Sequence, residues 1–212
     1  MIIHHSSDLY GADRSLLDVI RALVDGGRRV LVVVPCDGPL RPHIEQTGAR
    51  LVIHDVLKVS RSLVRSSGAL KLFARLILGD AALSKIAREN QVELVYSNTV
   101  AVFAGALLAR KLKLPHVWHV REIVESPAWA RRVFQYVVPR LSNTIICNSG
   151  ATSAWLKNGR ELSVCVTVIH NGVDNQVIQS SKCRAVAKNS LGIAQAHLHI
   201  VCVGRINRWK GQ

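Results

Sequence analysis

Leu94-Val-Tyr-Ser-Asn-Thr-Val-Ala-Val-Phe-Ala-Gly-Ala-Leu-Leu-Ala-Arg-Lys-Leu-Lys-Leu-Pro-His-Val-Trp-His-Val-Arg-Glu122 decides the fold class. Leu94–Ser97 is a short apolar run that fits a strand. Val100–Lys111 has the length and composition of a helix, and His116–Val120 is a second strand. Strand, helix, strand is the unit that joins parallel strands in a sheet. Two polar pairs close its strands, Asn98-Thr99 and Arg121-Glu122. In parallel α/β sheets, ligands bind at the carboxyl ends of the strands, so these positions are the first places to look for chemistry.

The same alternation runs outward in both directions. Upstream, Met1–His5 and Val30–Val34 read as strands, and Pro35 ends the second. Between them Asp13–Asp25 reads as a helix, with Leu16, Leu17, Ile20, Leu23 and Val24 on one face and Gly26-Gly27 as its stop. Leu40–Gln46 is a short helix and Arg50–His54 a third strand. A basic helical stretch covers Ser62–Glu89, broken near Gly79-Asp80. Downstream, Ala128–Arg140 is helical, Thr144–Cys147 a strand, Ala151–Lys157 a helix and Val164–Ile169 a strand. The expected architecture is α/β: a Rossmann-like, mostly parallel sheet with helices on both faces. Asn175–Ala196 carries no clear strand and reads as a connector with one short helix near Arg184–Leu191. His197–Val203 is again a buried-strand pattern, feeding the basic turn Gly204-Arg-Ile-Asn-Arg-Trp-Lys-Gly-Gln212. Three parts result: a domain over 1–175, a connector over 176–196, and the start of a second domain over 197–212.

Bulk properties narrow the function classes. The chain has 212 residues, 28 Lys and Arg against 14 Asp and Glu, and a formal charge of +14. Such an excess calls for an anionic partner or surface. No basic-aromatic platform or reader motif accompanies it, so specific nucleic-acid recognition is not expected. The five cysteines form no C-x-x-C, and Cys147 and Cys202 sit in apolar runs as small hydrophobes, which suits a reducing compartment. Neither a signal peptide nor a spanning helix is legible, so a cytoplasmic location is expected, with peripheral membrane contact as an option. The nine histidines lack metal-ligand spacing, and no metal is expected. A dinucleotide fingerprint, a P-loop and a nucleophile elbow are all missing.

The strand-end segments carry the chemistry, each with an ordinary alternative. Gly11-Ala-Asp-Arg-Ser15 precedes the first helix. Gly11 would let a ligand approach the backbone at a helix N-terminus, or the segment is a turn with Asp13 as cap. His119 and Arg121 would contact a sugar or phosphate, or His119 is satisfied by backbone and Arg121 pairs with Glu125. Glu122 and Glu125 would form a general acid/base pair if close enough. Asn148, Ser149 and Asn171 lie in turn sequences, and Ser149 is also a good helix cap. Lys58–Arg88 would lie on an anionic bilayer, or forms a solvated helix face.

The order of these segments is more informative than any one of them. Gly11-Ala-Asp-Arg-Ser15, Leu94-Val-Tyr-Ser-Asn98, Pro115-His-Val-Trp-His-Val-Arg-Glu122, Ile145-Ile-Cys-Asn-Ser149, Val168-Ile-His-Asn-Gly-Val-Asp174 and Val203-Gly-Arg-Ile-Asn-Arg-Trp-Lys-Gly211 occur in succession. This resembles the family 4 glycosyltransferases of the GT-B fold. The resemblance implies a retaining transfer of sugar from a nucleotide-sugar donor to a glycan or lipid-linked acceptor, without a metal or other cofactor. It implies that Arg205 and Lys210 hold the donor diphosphate, that Gly11 lies near the donor phosphate or sugar, and that His119 contacts the transferred sugar. Asp13 stands where many members have Glu, and Ala12 follows a single Gly where many have two. The glutamate motif of the family's donor domain has no counterpart before Gln212. The expectation is therefore an N-terminal fragment that alone neither binds donor tightly nor turns over. The competing reading is a non-catalytic half that binds a glycan or an anionic membrane.

Overall fold

A computed structural model describes residues 1–56, 80–172, 184–193 and 200. The chain divides into two compact units, Met1–Gly172 and Val173–Gln212. The first unit holds seven strands: β1 (Ile2–Ile3), β2 (Leu31–Val34), β3 (Arg50–Ile53), β4 (Val95–Asn98), β5 (His116–Val120), β6 (Thr144–Cys147) and β7 (Cys165–Val168). All pair in parallel, in the order β3-β2-β1-β4-β5-β6-β7. Its helices are α1 (Gly11–Asp25), α2 (Leu40–Gln46), α3 (Ala81–Glu89), α4 (Phe103–Leu112), α5 (Ala128–Arg140) and α6 (Gly150–Lys157). In the second unit, α7 spans Arg184–Ser190. The expected Rossmann-like α/β fold is present, with a sheet parallel throughout.

Alternate side chains of each strand point to opposite faces, and the core divides accordingly. One face buries Ile2, Val32, Val34 and Tyr96 under Leu16, Leu17 and Ile20 of α1 and Leu40 and Ile44 of α2. The other buries Ile3, Val33 and Val95 under Leu83 and Ala87 of α3 and Leu108 of α4. Further along that face, Trp118, Ile145 and Cys147 pack against Phe103, Phe134, Val138 and Leu156 from α4, α5 and α6. Burial pushes the Cys147 thiol up to about 11, in keeping with its expected role as a small hydrophobe.

Several boundaries differ from the sequence reading, each for a local reason. The first strand is shorter than Met1–His5, because His4 turns its side chain into a buried polar cluster. Helix α1 starts at Gly11 rather than Asp13. Asp13 is not the cap; its carboxylate accepts the Tyr10 N–H from inside the first turn (2.7 Å). Helix α4 starts at Phe103 rather than Val100. Val102 has φ −95° and ψ 79°, outside the helical region, so the helix begins only after it, while the Val100 N–H donates to Glu122 Oε2 (3.2 Å) and the Ala101 N–H to Thr99 Oγ1 (3.3 Å). Of the expected helix over 62–89, residues 62–79 lie outside the described residues. From Asp80 onward the reading holds: Asp80 caps α3 by accepting the Leu83 N–H (2.9 Å), and Lys85 and Arg88 are solvent-exposed. Of the expected strand over 197–203, all but Ile200 lies outside the described residues.

Gly105 of α4 is fixed by close approach to β4. A Cβ there would collide with Ser97 Oγ and crowd Val95 and Ile3. Ser97 cannot yield, since its hydroxyl is bonded to His116 Nε2 (2.9 Å) in the buried interior. Gly105→Ala should lower stability by about 1–3 kcal/mol through overpacking, measured by urea denaturation. Unchanged stability would mean that α4 does not rest on β4 this closely.

Candidate functional site

The strand order reverses between β1 and β4. Helix α1 leaves β1 toward one face and α4 leaves β4 toward the other, so a crevice opens at the strand ends. Polar side chains from β1, β4 and β5 meet there. Buried polar groups need partners, and these form a chain. Arg121 Nε donates to Asn98 Oδ1 (2.7 Å). Asn98 Nδ2 donates to His4 Nδ1 (3.0 Å). His4 Nε2 donates to Asp13 Oδ1 (2.6 Å). The second oxygen of Asp13 is taken by the Tyr10 N–H. Each amide and ring position is thus set by its neighbours. Burial works against the Asp13 charge, but the bonds from His4 and Tyr10 and the nearby histidines outweigh it and hold its carboxyl below the usual range.

Arg121 is the hub. Its Nη1 donates to Ser15 Oγ (2.8 Å) and to Asn171 Oδ1 (3.1 Å), and Ser15 donates to the same Asn171 oxygen (3.0 Å). The expected alternative, an Arg121–Glu125 pair, is not formed, because Arg121 points toward α1 and Asn171 instead. Its Nη2 is buried without a hydrogen-bond partner. His119, 4% exposed, sits beside it. Its Nδ1 is bonded to the Tyr96 hydroxyl, and its Nε2 is buried without a partner. Burial and the Arg121 charge hold the imidazole down to about 3, so it is neutral at physiological pH.

The other expected residues frame this cluster. Glu122 is turned to the β4–α4 loop through its bond from Val100, and burial raises its pKa. Glu125 is exposed. Asn148 donates to the Arg121 carbonyl (3.1 Å) and accepts from Thr152 Oγ1 (2.8 Å), bracing β6 against β5. Ser149 caps α6 through the Thr152 N–H (3.1 Å), the ordinary role open to it. Gly11 has open space on its Cβ side and no unusual backbone angle. Among the described residues, nothing requires glycine there. Arg205 and Lys210 lie outside the described residues.

Two residues of the cluster, Tyr96 and His4, escaped the sequence reading, where they stand only as members of strands. Thr99 has φ of 99°, a strained angle for a β-branched residue. It is held there by bonds at both ends: its N–H donates to the His119 carbonyl (2.9 Å) and its carbonyl accepts the Trp118 indole N–H (2.7 Å). Among the described residues, no group of three or more His, Cys, Asp or Glu side chains is placed to hold a metal ion. No described helix is long and apolar enough to cross a membrane.

Residues 10–177 match the family described as Glycosyltransferase Family 4. The chain belongs to this family. A comparison with curated protein sequences gives no significant match. Among solved structures, the fold is similar to HepE from Anabaena in complex with UDP, at TM-score 0.64 and 24% identity over 90% of this chain and 49% of that one. It is similar to a glycosyltransferase from Rickettsia africae at TM-score 0.69 and 12% identity, over 99% of this chain and 54% of that one. It is also similar to a UDP-GlcNAc 2-epimerase from Neisseria meningitidis bound to UDP-GlcNAc, at TM-score 0.56 and 13% identity, over 92% and 54%. The chain spans about half the length of these structures. At such identities the likeness is one of fold, and an epimerase shares it; the glycosyltransferase assignment rests on the family match.

Two buried histidines make stability depend on pH. Burial holds His116 down to about 4 and His119 to about 3, against about 6.5 in an unfolded chain. Below 6.5 the unfolded chain gains protons that the folded one refuses, so stability is full above that pH and falls on acidification. The slope should be about 1.4 kcal/mol per pH unit for each histidine, down to its folded value. Urea midpoints measured across this range should show the loss, and His116→Asn should reduce it. A flat profile from neutral pH to about 4 would contradict the buried neutral state of His116.

Proposed function

We propose that this family 4 chain serves a glycosyltransferase that moves a sugar from a nucleotide-sugar donor to a glycan or lipid-linked acceptor, with retention of anomeric configuration and no metal. The observation that carries the proposal is the pair of buried, unpartnered nitrogens at the end of β5, His119 Nε2 and Arg121 Nη2, in a chain of this family. Desolvated polar groups without partners are costly, and sites that bind polar ligands tolerate them because the ligand completes the bonding. A sugar offers hydroxyls for both. The neutral imidazole of His119 suits contact with the transferred sugar, and Gly11 leaves room for close approach beside the start of α1. The bound UDP of HepE and UDP-GlcNAc of the Neisseria epimerase support a uridine nucleotide as donor.

In the same proposal Arg205 and Lys210 hold the donor diphosphate. The leaving group gains negative charge, and fixed cations stabilise that charge in place of a metal. Residues 197–212 then begin the donor-binding domain. The charge of +14 supports work at the cytoplasmic face of an anionic membrane, by electrostatic contact.

The test is transfer by the natural full-length protein from a panel of nucleotide sugars, with the product's anomeric configuration read by NMR. Retention and full activity in chelator are expected. Gly11→Val should cut transfer at least tenfold while changing stability by no more than about 0.5 kcal/mol, as for an exposed site. An inverted product would overturn retention, and full activity of Gly11→Val would remove Gly11 from the site.

A further inference from the structure

The contact between Tyr96 and His119 decides what His119 can offer. Tyr96 is 7% exposed and belongs to the core cluster of Ile2, Leu16 and Leu17. Its backbone is pinned by the N–H bond to the Met1 carbonyl (2.8 Å) and by the register with β5. The His119 backbone is pinned from the other side, where its carbonyl accepts the Thr99 N–H. The two rings meet edge to face, with centroids 5.9 Å apart and planes at 88°. Both partners of the hydroxyl–Nδ1 bond are therefore fixed before any substrate arrives.

A neutral imidazole has one proton and two nitrogens, and the bond at one nitrogen assigns the other. Either the phenol donates to Nδ1, leaving the proton on Nε2, or Nδ1–H donates to the phenol oxygen, leaving Nε2 a bare acceptor. Arg121 breaks this tie. Its charge acts on the Tyr96 oxygen, and a guanidinium can only donate. That charge attracts the lone pairs of the phenol oxygen, which leaves the phenol hydrogen for Nδ1. Burial pushes the phenol up to about 12, so that hydrogen is always present.

We propose that Tyr96 is a positioning residue, which by donating its hydroxyl hydrogen to Nδ1 of His119 locks the imidazole with its proton on Nε2, as a donor aimed at an oxygen of the bound sugar. The consequence for the sugar rests on the reading of His119 given above; the lock itself does not. The substrate group that meets Nε2 is then an acceptor, a hydroxyl or ring oxygen rather than a hydroxyl hydrogen.

Long-range proton–nitrogen NMR of the 212-residue chain labelled with 15N-histidine tests the lock, with His119→Gln to assign the signal. His119 should show a protonated Nε2 and an unprotonated Nδ1. His116 is an internal control of opposite tautomer, since its Nδ1 donates to the Leu141 carbonyl (2.8 Å) and its Nε2 faces Ser97. In Tyr96→Phe the His119 signals should move toward a mixture of tautomers while those of His116 stay in place, which also shows that the fold is intact. If Tyr96→Phe does not fold, the wild-type spectrum alone decides. A protonated Nδ1 in the wild type, or an unmoved His119 in a folded Tyr96→Phe, would overturn the lock. In the natural full-length protein, Tyr96→Phe should lower kcat about tenfold, the scale of one hydrogen bond, with the donor KM unchanged. Undiminished kcat with a shifted tautomer would overturn the positioning role. Undiminished transfer by His119→Ala would instead refute the reading of His119 and leave the lock standing.

Discussion

Between β1 and β4 the sheet reverses its order of growth, and the rest of the site follows from that reversal. Two helices that would otherwise lie side by side depart to opposite faces, so the strand ends between them are left without a cover. The backbone there cannot be sealed with apolar side chains without filling the crevice. It carries polar ones instead, and in a place this dry each must be bonded. The chain Arg121–Asn98–His4–Asp13 meets that demand with side chains drawn from three strands and one helix. It begins on a guanidinium and ends on a carboxylate, with Asn98 and His4 between them. Both ends are stabilised without being placed in contact.

Rigidity has a use here. A side chain that is to meet a sugar with useful directionality must be held before the sugar arrives, or the cost of ordering it is charged against binding. His119 is held by Tyr96 on one side and, through the backbone, by the strained Thr99 on the other. Arg121 spends its Nε and Nη1 on the protein and keeps Nη2. Neither residue can swing away, and each retains one buried nitrogen for a ligand.

Much of the fold was legible because its signals are local. His116–Val120, Ala128–Arg140, Thr144–Cys147 and Leu40–Gln46 were read with the boundaries observed, since apolar runs and turn residues mark them within a few positions. Boundaries failed where the backbone leaves the helical region with no local signal: Val102 has φ −95° and ψ 79°, so the helix expected from Val100 begins only after it. The site divides along the same line. That His119, Arg121 and Asp13 would lie near the strand ends was legible because strand ends follow from the strands. Tyr96 and His4 were missed because their significance arises across the sheet: His4 meets Asn98 from 94 residues away, and the Arg121–Ser15 bond spans 106. No window of sequence contains such a pair. Asn148 and Ser149 read as turn and cap residues as well as cleft candidates, and the structure uses them for bracing and capping.

The central claim is that the crevice at the strand reversal faces the sugar nucleotide. Titration of the 212-residue chain with millimolar UDP-glucose, followed by NMR of its histidine and arginine side chains, addresses it directly and works even at weak affinity. Progressive shifts of the His119 Nε2 and Arg121 Nη2 signals, with His116 unmoved, are the result predicted. Shifts confined to other residues, with both of these signals stationary at saturation, would contradict it.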